Sequence, residues 1–195
     1  MHFVIQPGAA NRLAYYKAEE GLGVLAPRGW FCFATYGSSG DNLYVVPHPI
    51  HSKELFSSDW KGFRGPAVQL SASVGDTSGR FEVARIIARV FPARQSFVDQ
   101  VIDEALEPKT DFPSGPYPAD KLSYKSPDIV EYTTPPLTQG LGTDSRLLPD
   151  AAPIHGAEII SGEETNLISV AVRLPVDMAA LATDILKQVE VEATH

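Results

Sequence analysis

Residues 21–46, GLGVLAPRGWFCFATYGSSGDNLYVV, read as a strand, a turn and a returning strand. Trp30-Phe-Cys-Phe-Ala-Thr-Tyr36 is an aromatic and small run that suits a pleated, half-buried surface. Gly37-Ser-Ser-Gly-Asp-Asn42 supplies turn residues, and Leu43-Tyr-Val-Val46 is the returning strand. The spacing predicts a hairpin with a loop of about five residues rather than a two-residue turn. Ahead of it, Ala26-Pro27-Arg28-Gly29 admits no helix. Cys32 lies among the aromatics of the first strand and reads as an inert, packed thiol. Because it is the only cysteine, an intrachain disulfide and CxxC chemistry are excluded.

Working outward, Pro47-His48-Pro49 stops the sheet, since neither proline can donate to a ladder. A short helix is expected over 52–56. Residues 67–74, AVQLSASV, alternate apolar and polar side chains with the period of a strand. Gly75-Asp-Thr-Ser-Gly79 offers helix caps, and 80–91 follows with a wide apolar face and a polar strip of Glu82, Arg85 and Arg89. Such a helix packs onto a sheet. Pro92 breaks it, and 93–106 resumes with Phe97, Val98, Val101, Ile102 and Ala105 on one face, so the two form an angled pair.

Residues 107–118 form a proline-rich connector that should run irregularly over the surface. Two short strands are expected at 121–125 and 129–134, and a second hairpin at 156–160 and 167–174 around Ser161-Gly-Glu-Glu164. Pro175 opens a last helix, with Met178, Leu181, Ala182, Ile185, Leu186 and Val189 at helical spacing. Between them, 135–153 has no period and is the place for a functional loop. On the N-terminal side, 2–6 is a short strand or a loose arm, and 12–18 an edge strand or one helical turn. Strands, two helices, more strands and a terminal helix imply an α+β fold on a mainly antiparallel sheet with packed helices, an α/β sandwich. The expectation is one globular domain, 1–195, with an N-terminal arm over 1–12.

A net charge of −8 over 195 residues opposes binding to nucleic acid or anionic lipid. No apolar run reaches the roughly 18 residues of a membrane span. The opening MHFVIQP lacks the basic and apolar regions of a signal peptide, which leaves a cytoplasmic protein or a periplasmic or secreted one given without its leader.

Candidate chemistry is sparse. His48, His51 and Glu54 have a spacing that a helix could turn toward Zn²⁺, but the prolines flanking His48 hold it extended, so exposed loop histidines are the simpler reading. Ser38, Ser39, Ser78 and Ser145 lack a nucleophile elbow, and a Ser-His-Asp site would need His155 with Asp144 or Asp150. Gly21-Leu-Gly23 and Gly140-Leu-Gly142 lack the third glycine of a dinucleotide loop. Arg85 and Arg89 stand one turn apart as an anion option, but Glu82 makes a solvated charged strip the simpler account. Asp41, Asp76, Asp144 and Glu163 match no calcium loop.

Val24-Leu-Ala-Pro-Arg-Gly-Trp30 resembles the entry strand of the PsbP-like fold, and Ser169-Val-Ala-Val-Arg with the helix to Val189 sits where that fold has its last strand and helix. More of the chain, including GVLAPRGW, LSASVGDTSGRFEVARIIARVFP, FPSGPYPADKL and EYTTPPLTQGLGT, resembles a group of bacterial proteins, often exported, with no assigned activity. The resemblance carries over no activity, and the expectation is a non-enzymatic binding or accessory domain, envelope-associated or secreted, with no cofactor. Its partner would be a protein, peptide or small molecule, met by exposed Tyr117 and Tyr132 and by Arg146 of the 135–153 loop. The alternative is a metal-dependent or serine hydrolase using His48, His51 and His155.

Overall fold

The computed structural model describes residues 7–194. In chain order it forms α1 (Pro7–Ala10), β1 (Leu13–Lys17), β2 (Gly23–Pro27), β3 (Phe31–Gly37), β4 (Gly40–Val46), α2 (Ser52–Leu55) and β5 (Ala67–Ser73). Helices α3 (Arg80–Val90) and α4 (Gln95–Asp103) follow, then β6 (Lys121–Ser126), β7 (Ile129–Thr134) and the one-turn α5 (Leu141–Asp144). Strands β8 (Ile154–Ser161) and β9 (Asn166–Arg173) make the second hairpin, and a 3-10 segment, Val176–Leu181, leads into α6 (Ala182–Ala193). Seven strands form one sheet in the order β3-β4-β5-β9-β8-β7-β6, and every neighbouring pair is antiparallel. Strands β1 and β2 form a separate two-stranded ribbon. The fold is α+β on a mainly antiparallel sheet, and no described helix is long and apolar enough to cross a membrane.

Both faces of the large sheet are covered. Val83, Ile87 and Val90 of α3, with Val98 and Val101 of α4, pack over one face. On the other, Ile185, Leu186 and Val189 of α6 and Val24 and Leu25 of β2 meet Val68, Leu70, Ile159, Ile168, Val170 and Val172. Alternation along each strand divides its side chains between these two cores. Gln188 ties ribbon to helix: its Oε1 accepts the Leu25 N–H at 2.8 Å and its Nε2 donates to the Gly23 carbonyl at 3.1 Å.

Three local readings change. The first hairpin turns in two residues, because Gly37 pairs with Gly40, and β4 thus starts earlier than expected. Gly40 has φ +140° and a Cβ there would strike the Ala72 carbonyl, so glycine lets the strand continue beside β5. Ahead of the hairpin, residues 23–27 form a strand of the ribbon. Cys32 is exposed, not packed, because β3 is the sheet's edge and no layer closes over it. The strip of Glu82, Arg85 and Arg89 lies against the connector: Arg85 pairs with Glu107, and Arg89 donates to the Gly115 carbonyl and stacks over Tyr117 at 4.0 Å. Residues 12–18 resolve as the edge strand β1, residues 2–6 lie outside the described part, and 7–10 of the expected arm form a helical turn that buries Ala9.

Arg173 closes one end of the sandwich. Only 1 % exposed, it donates to the carbonyls of Gly65 (2.5 Å), Leu148 (2.5 Å) and Phe63 (2.8 Å). Those carbonyls belong to the 61–66 and 146–150 segments, which also bond each other through Phe63 N to Arg146 O and Leu148 N to Phe63 O. Arg173→Met keeps the length but removes the guanidinium donor from all three carbonyls, of which Phe63 keeps the Leu148 N–H. Urea unfolding should show a loss on the order of 3 kcal/mol, and hydrogen exchange should rise first in these two segments.

Candidate functional site

The alternation of β5 raises a problem that the sheet order answers in an unexpected place. Gln69, Ser71 and Ser73 point away from the aliphatic core of α6, yet β5 is an interior strand with α3 above it, so their face does not open onto bulk solvent. Register sets Asn42 of β4, Ser71 of β5, Ser169 of β9 and Glu158 of β8 side by side in one row across four strands. The next row is Tyr44, Gln69, Ala171, Gly156 and Tyr132. Above these rows lies a cavity of about 430 Å³, roofed by Glu82 and Ile86 of α3 and closed at the side by Leu141, Asp144, Ser145 and Arg146. That volume is within the usual range of small-molecule sites.

Hydrogen bonds fix the floor. Ser71 Oγ donates to Asn42 Oδ1 at 2.7 Å and accepts from Gln69 Nε2 at 2.8 Å. Gln69 Oε1 accepts the Arg146 backbone N–H at 2.8 Å, which ties the 135–153 loop to the sheet. Gly156 clears the space over which the Tyr132 ring lies; a Cβ at Gly156 would run into that ring and the Val170 carbonyl. At the side, Asp120 holds α5 in place, accepting the Thr134 hydroxyl at 2.7 Å and the Leu141 N–H at 2.8 Å. Thr134 Oγ1 in turn accepts the Gly142 N–H at 3.0 Å.

Glu158 is the central charge. It is 2 % exposed, and the Ser169 hydroxyl donates to its Oε2, while Oε1 accepts from no protein donor among the described residues. Burial raises its pKa well above the ordinary 4.5, and the like charges of Glu82 and Asp144 raise it further, against a lowering by the Ser169 bond. Asp144, at the solvent-facing rim, is pushed up to about 6, chiefly by desolvation, although the Tyr117 hydroxyl donates to it at 2.7 Å. Burial and the Asp144 bond push the Tyr117 hydroxyl up to about 12. A smaller hollow of about 220 Å³, lined by Arg85, Arg89, Asp111 and Tyr117, shares Glu82, Ile86 and Asp144 with the cavity.

The sequence-derived candidates fall out as follows. Tyr132 is 3 % exposed and forms part of the cavity wall, so the expectation of an exposed aromatic is corrected: β7 is the next strand in from the edge, and its inner face is covered. Tyr117 is half-buried and pins the connector through Asp144 and Arg89. Arg146 lines the cavity at the rim, with its guanidinium 5.9 Å from the Trp60 ring centre. His48, His51 and Glu54 are all exposed. His155 points to the α6 side, hydrogen-bonded to Thr133 at 3.1 Å, whereas Asp144 is on the α3 side. Ser38 and Ser78 face each other at 3.4 Å, Ser145 donates to the Gly142 carbonyl, and Asp150 accepts from Gly65 N and Ala151 N. The structure therefore does not assemble the Ser-His-Asp or histidine sets, and no three metal-binding side chains among the described residues are close enough to hold an ion. The sequence reading missed Glu158, Ser169, Gln69 and Asn42, although a lone Glu inside AEII and a lone Ser inside LISVAV mark polar positions on buried strands.

No family model, curated protein or solved structure matches the chain.

Glu158 predicts a pH dependence. A carboxyl whose pKa is raised in the fold holds a proton that the unfolded chain has released, so its stabilising effect is whole below 4.5 and is lost as pH rises toward the folded value. His155 acts in the opposite sense, since burial lowers its pKa and favours the neutral ring as pH rises through 6.5. Comparing the protein with Glu158→Gln isolates the carboxyl. As pH rises above 4.5 the variant should gain on the parent in urea unfolding, by at most about 1.4 kcal/mol per pH unit; a constant difference between the two would show an unshifted group.

Proposed function

We propose that this chain is a binding domain that takes a small polar ligand into the cavity between its sheet and α3. The observation that carries the reading is the row of Asn42, Ser71, Ser169 and Glu158. Four neighbouring strands present polar side chains at a covered face, around a space large enough for a ligand. Buried polar groups cost stability unless they find partners, and a structural purpose would be met more cheaply by aliphatic packing of the kind on the sheet's other face. Arg146 and the 135–153 loop, expected to meet a partner at the surface, serve in this reading as the segment that completes the cavity wall. Tyr117 and Tyr132 contribute by holding that wall and not by meeting a partner at the surface. A hydrolase on His48, His51 and His155 has no assembled set of side chains in its favour.

Ser73 lines the cavity and is only half-buried, so a large side chain can fill the space from there without entering the aliphatic core. Saturation-transfer NMR against a panel of polar compounds of up to about 20 heavy atoms, sized to such a pocket, should detect binders. Ser73→Phe should weaken them at least about tenfold, which is about 1.4 kcal/mol, while the far-ultraviolet circular dichroism is unchanged. Compounds that bind the variant as well as the parent would place recognition elsewhere.

A further inference from the structure

Resting on that reading, we infer that the cavity's ligand is a small organic cation, with an ammonium or guanidinium head seated on Glu158 and its carbon body against Ile86 and Leu141. The charges at the site point one way. Glu82, Asp144 and Glu158 line the space, and Arg146 is the single basic side chain doing so. Arg146 interacts instead with Tyr44 and sits near the Trp60 ring, at the β4 side. Glu82 already has Arg85 at 3.2 Å, and Asp144 has the Tyr117 hydroxyl and the nearby Arg89. Glu158 has none of this. Its one hydrogen bond comes from Ser169, and the charges that bear on it, from α3 and α5, are both negative. From β7 it is faced by Tyr132, whose own hydroxyl is held neutral by burial and by Glu158.

The kind of cation follows from spacing. A bare metal ion wants several carboxylate or imidazole ligands converging within about 2.5 Å, and among the described residues no such group exists. Carboxylates spread around a cavity with hydroxyl and amide oxygens between them suit a cation that carries its own N–H donors on a carbon frame. Ser169 Oγ, which donates to Oε2, keeps its lone pairs, so an acceptor stands beside the open oxygen of Glu158, and Ser73 lines the same cavity. Apolar Ile86, Leu141 and Ala171 complete the lining.

Proton balance gives the inference a signature. In the empty cavity burial favours the protonated form of Glu158, because a lone buried carboxylate is disfavoured. A cation brought to it favours the carboxylate, so the proton leaves to solvent as the head group docks, one proton for one positive charge. Affinity therefore rises with pH, and the heat of binding depends on the buffer that takes up the proton.

The test is isothermal titration calorimetry of the full chain with ethanolamine, putrescine and agmatine, each set against an uncharged counterpart such as ethylene glycol or 1,4-butanediol. The expected result is at least one cation bound tenfold or more tighter than its counterpart. Its binding should tighten from pH 6 to pH 8, release a proton, and weaken tenfold or more in Glu158→Gln. Folding of that variant is checked by its melting temperature. Equal binding of the uncharged compounds, cation binding that Glu158→Gln leaves intact, or no cation binding at 10 mM or below, on the order of the weakest affinities in this range, would each overturn the inference. The binding-domain reading fails separately, when Ser73→Phe leaves every bound compound unaffected.

Discussion

The sheet's central strands are covered on both faces, and most of what is distinctive in this molecule follows from that constraint. With α6 and the β1–β2 ribbon on one side and α3 and α4 on the other, a side chain on β5, β8 or β9 has no face on which to be routinely wet. Most positions answer with Val, Ile, Leu or Ala. Glu158, Ser169, Ser71 and Gln69 do not, and they lie together because the register of four strands puts them there. An interior polar set of this kind is tolerated where hydrogen bonds satisfy it, as they do from Gln69 to Ser71 to Asn42.

The side wall of the cavity and the segments next to it are short or irregular stretches that side chains tie down. Arg173 gathers the segments on either side of Phe63 and Leu148 onto the end of the sheet, and Asp120 fixes α5 through Leu141 and Thr134. The proline-rich connector is drawn in by Arg85, Arg89 and Tyr117, each bonded or stacked to a different neighbour. Irregular backbone is thereby held by charged side chains reaching carbonyls and carboxylates, together with single apolar anchors, Phe63, Phe112 and Leu147, buried in the core.

Much of the fold was legible in the sequence. Both main hairpins, the pair α3 and α4, the strands on either side of Asp128 and the terminal helix all declare themselves through period and punctuation. What period does not carry is which strand lies beside which. Strand β9 enters the sheet between β5 and β8, so β5 gains a neighbour some hundred residues away, at the order of separation where loop-closure cost says nothing about pairing. Without that order, the serines of AVQLSAS read as the wet side of a surface strand, and Tyr132 as an exposed aromatic. Cys32 failed in the reverse direction: its aromatic neighbours suggested burial, but β3 turned out to be an edge. Glu158 and Ser169 were visible as lone polar residues in apolar runs, but each alone is an ordinary feature, and only their adjacency makes a site.

Strand β9 illustrates how the two roles are kept apart. Ile168, Val170 and Val172 pack toward α6, while Leu167, Ser169, Ala171 and Arg173 face the other way, and Ser169 and Ala171 line the cavity. Substitution at one set leaves the volumes and contacts of the other nearly untouched, since the backbone plane stands between them. The strand is thus a two-channel tape in evolutionary terms: drift in what the cavity accepts is uncoupled from drift in what keeps the chain folded. Replacements at Ser169, Ser71 or Glu158 alter the cavity's lining while the aliphatic channel stays under its own, separate selection.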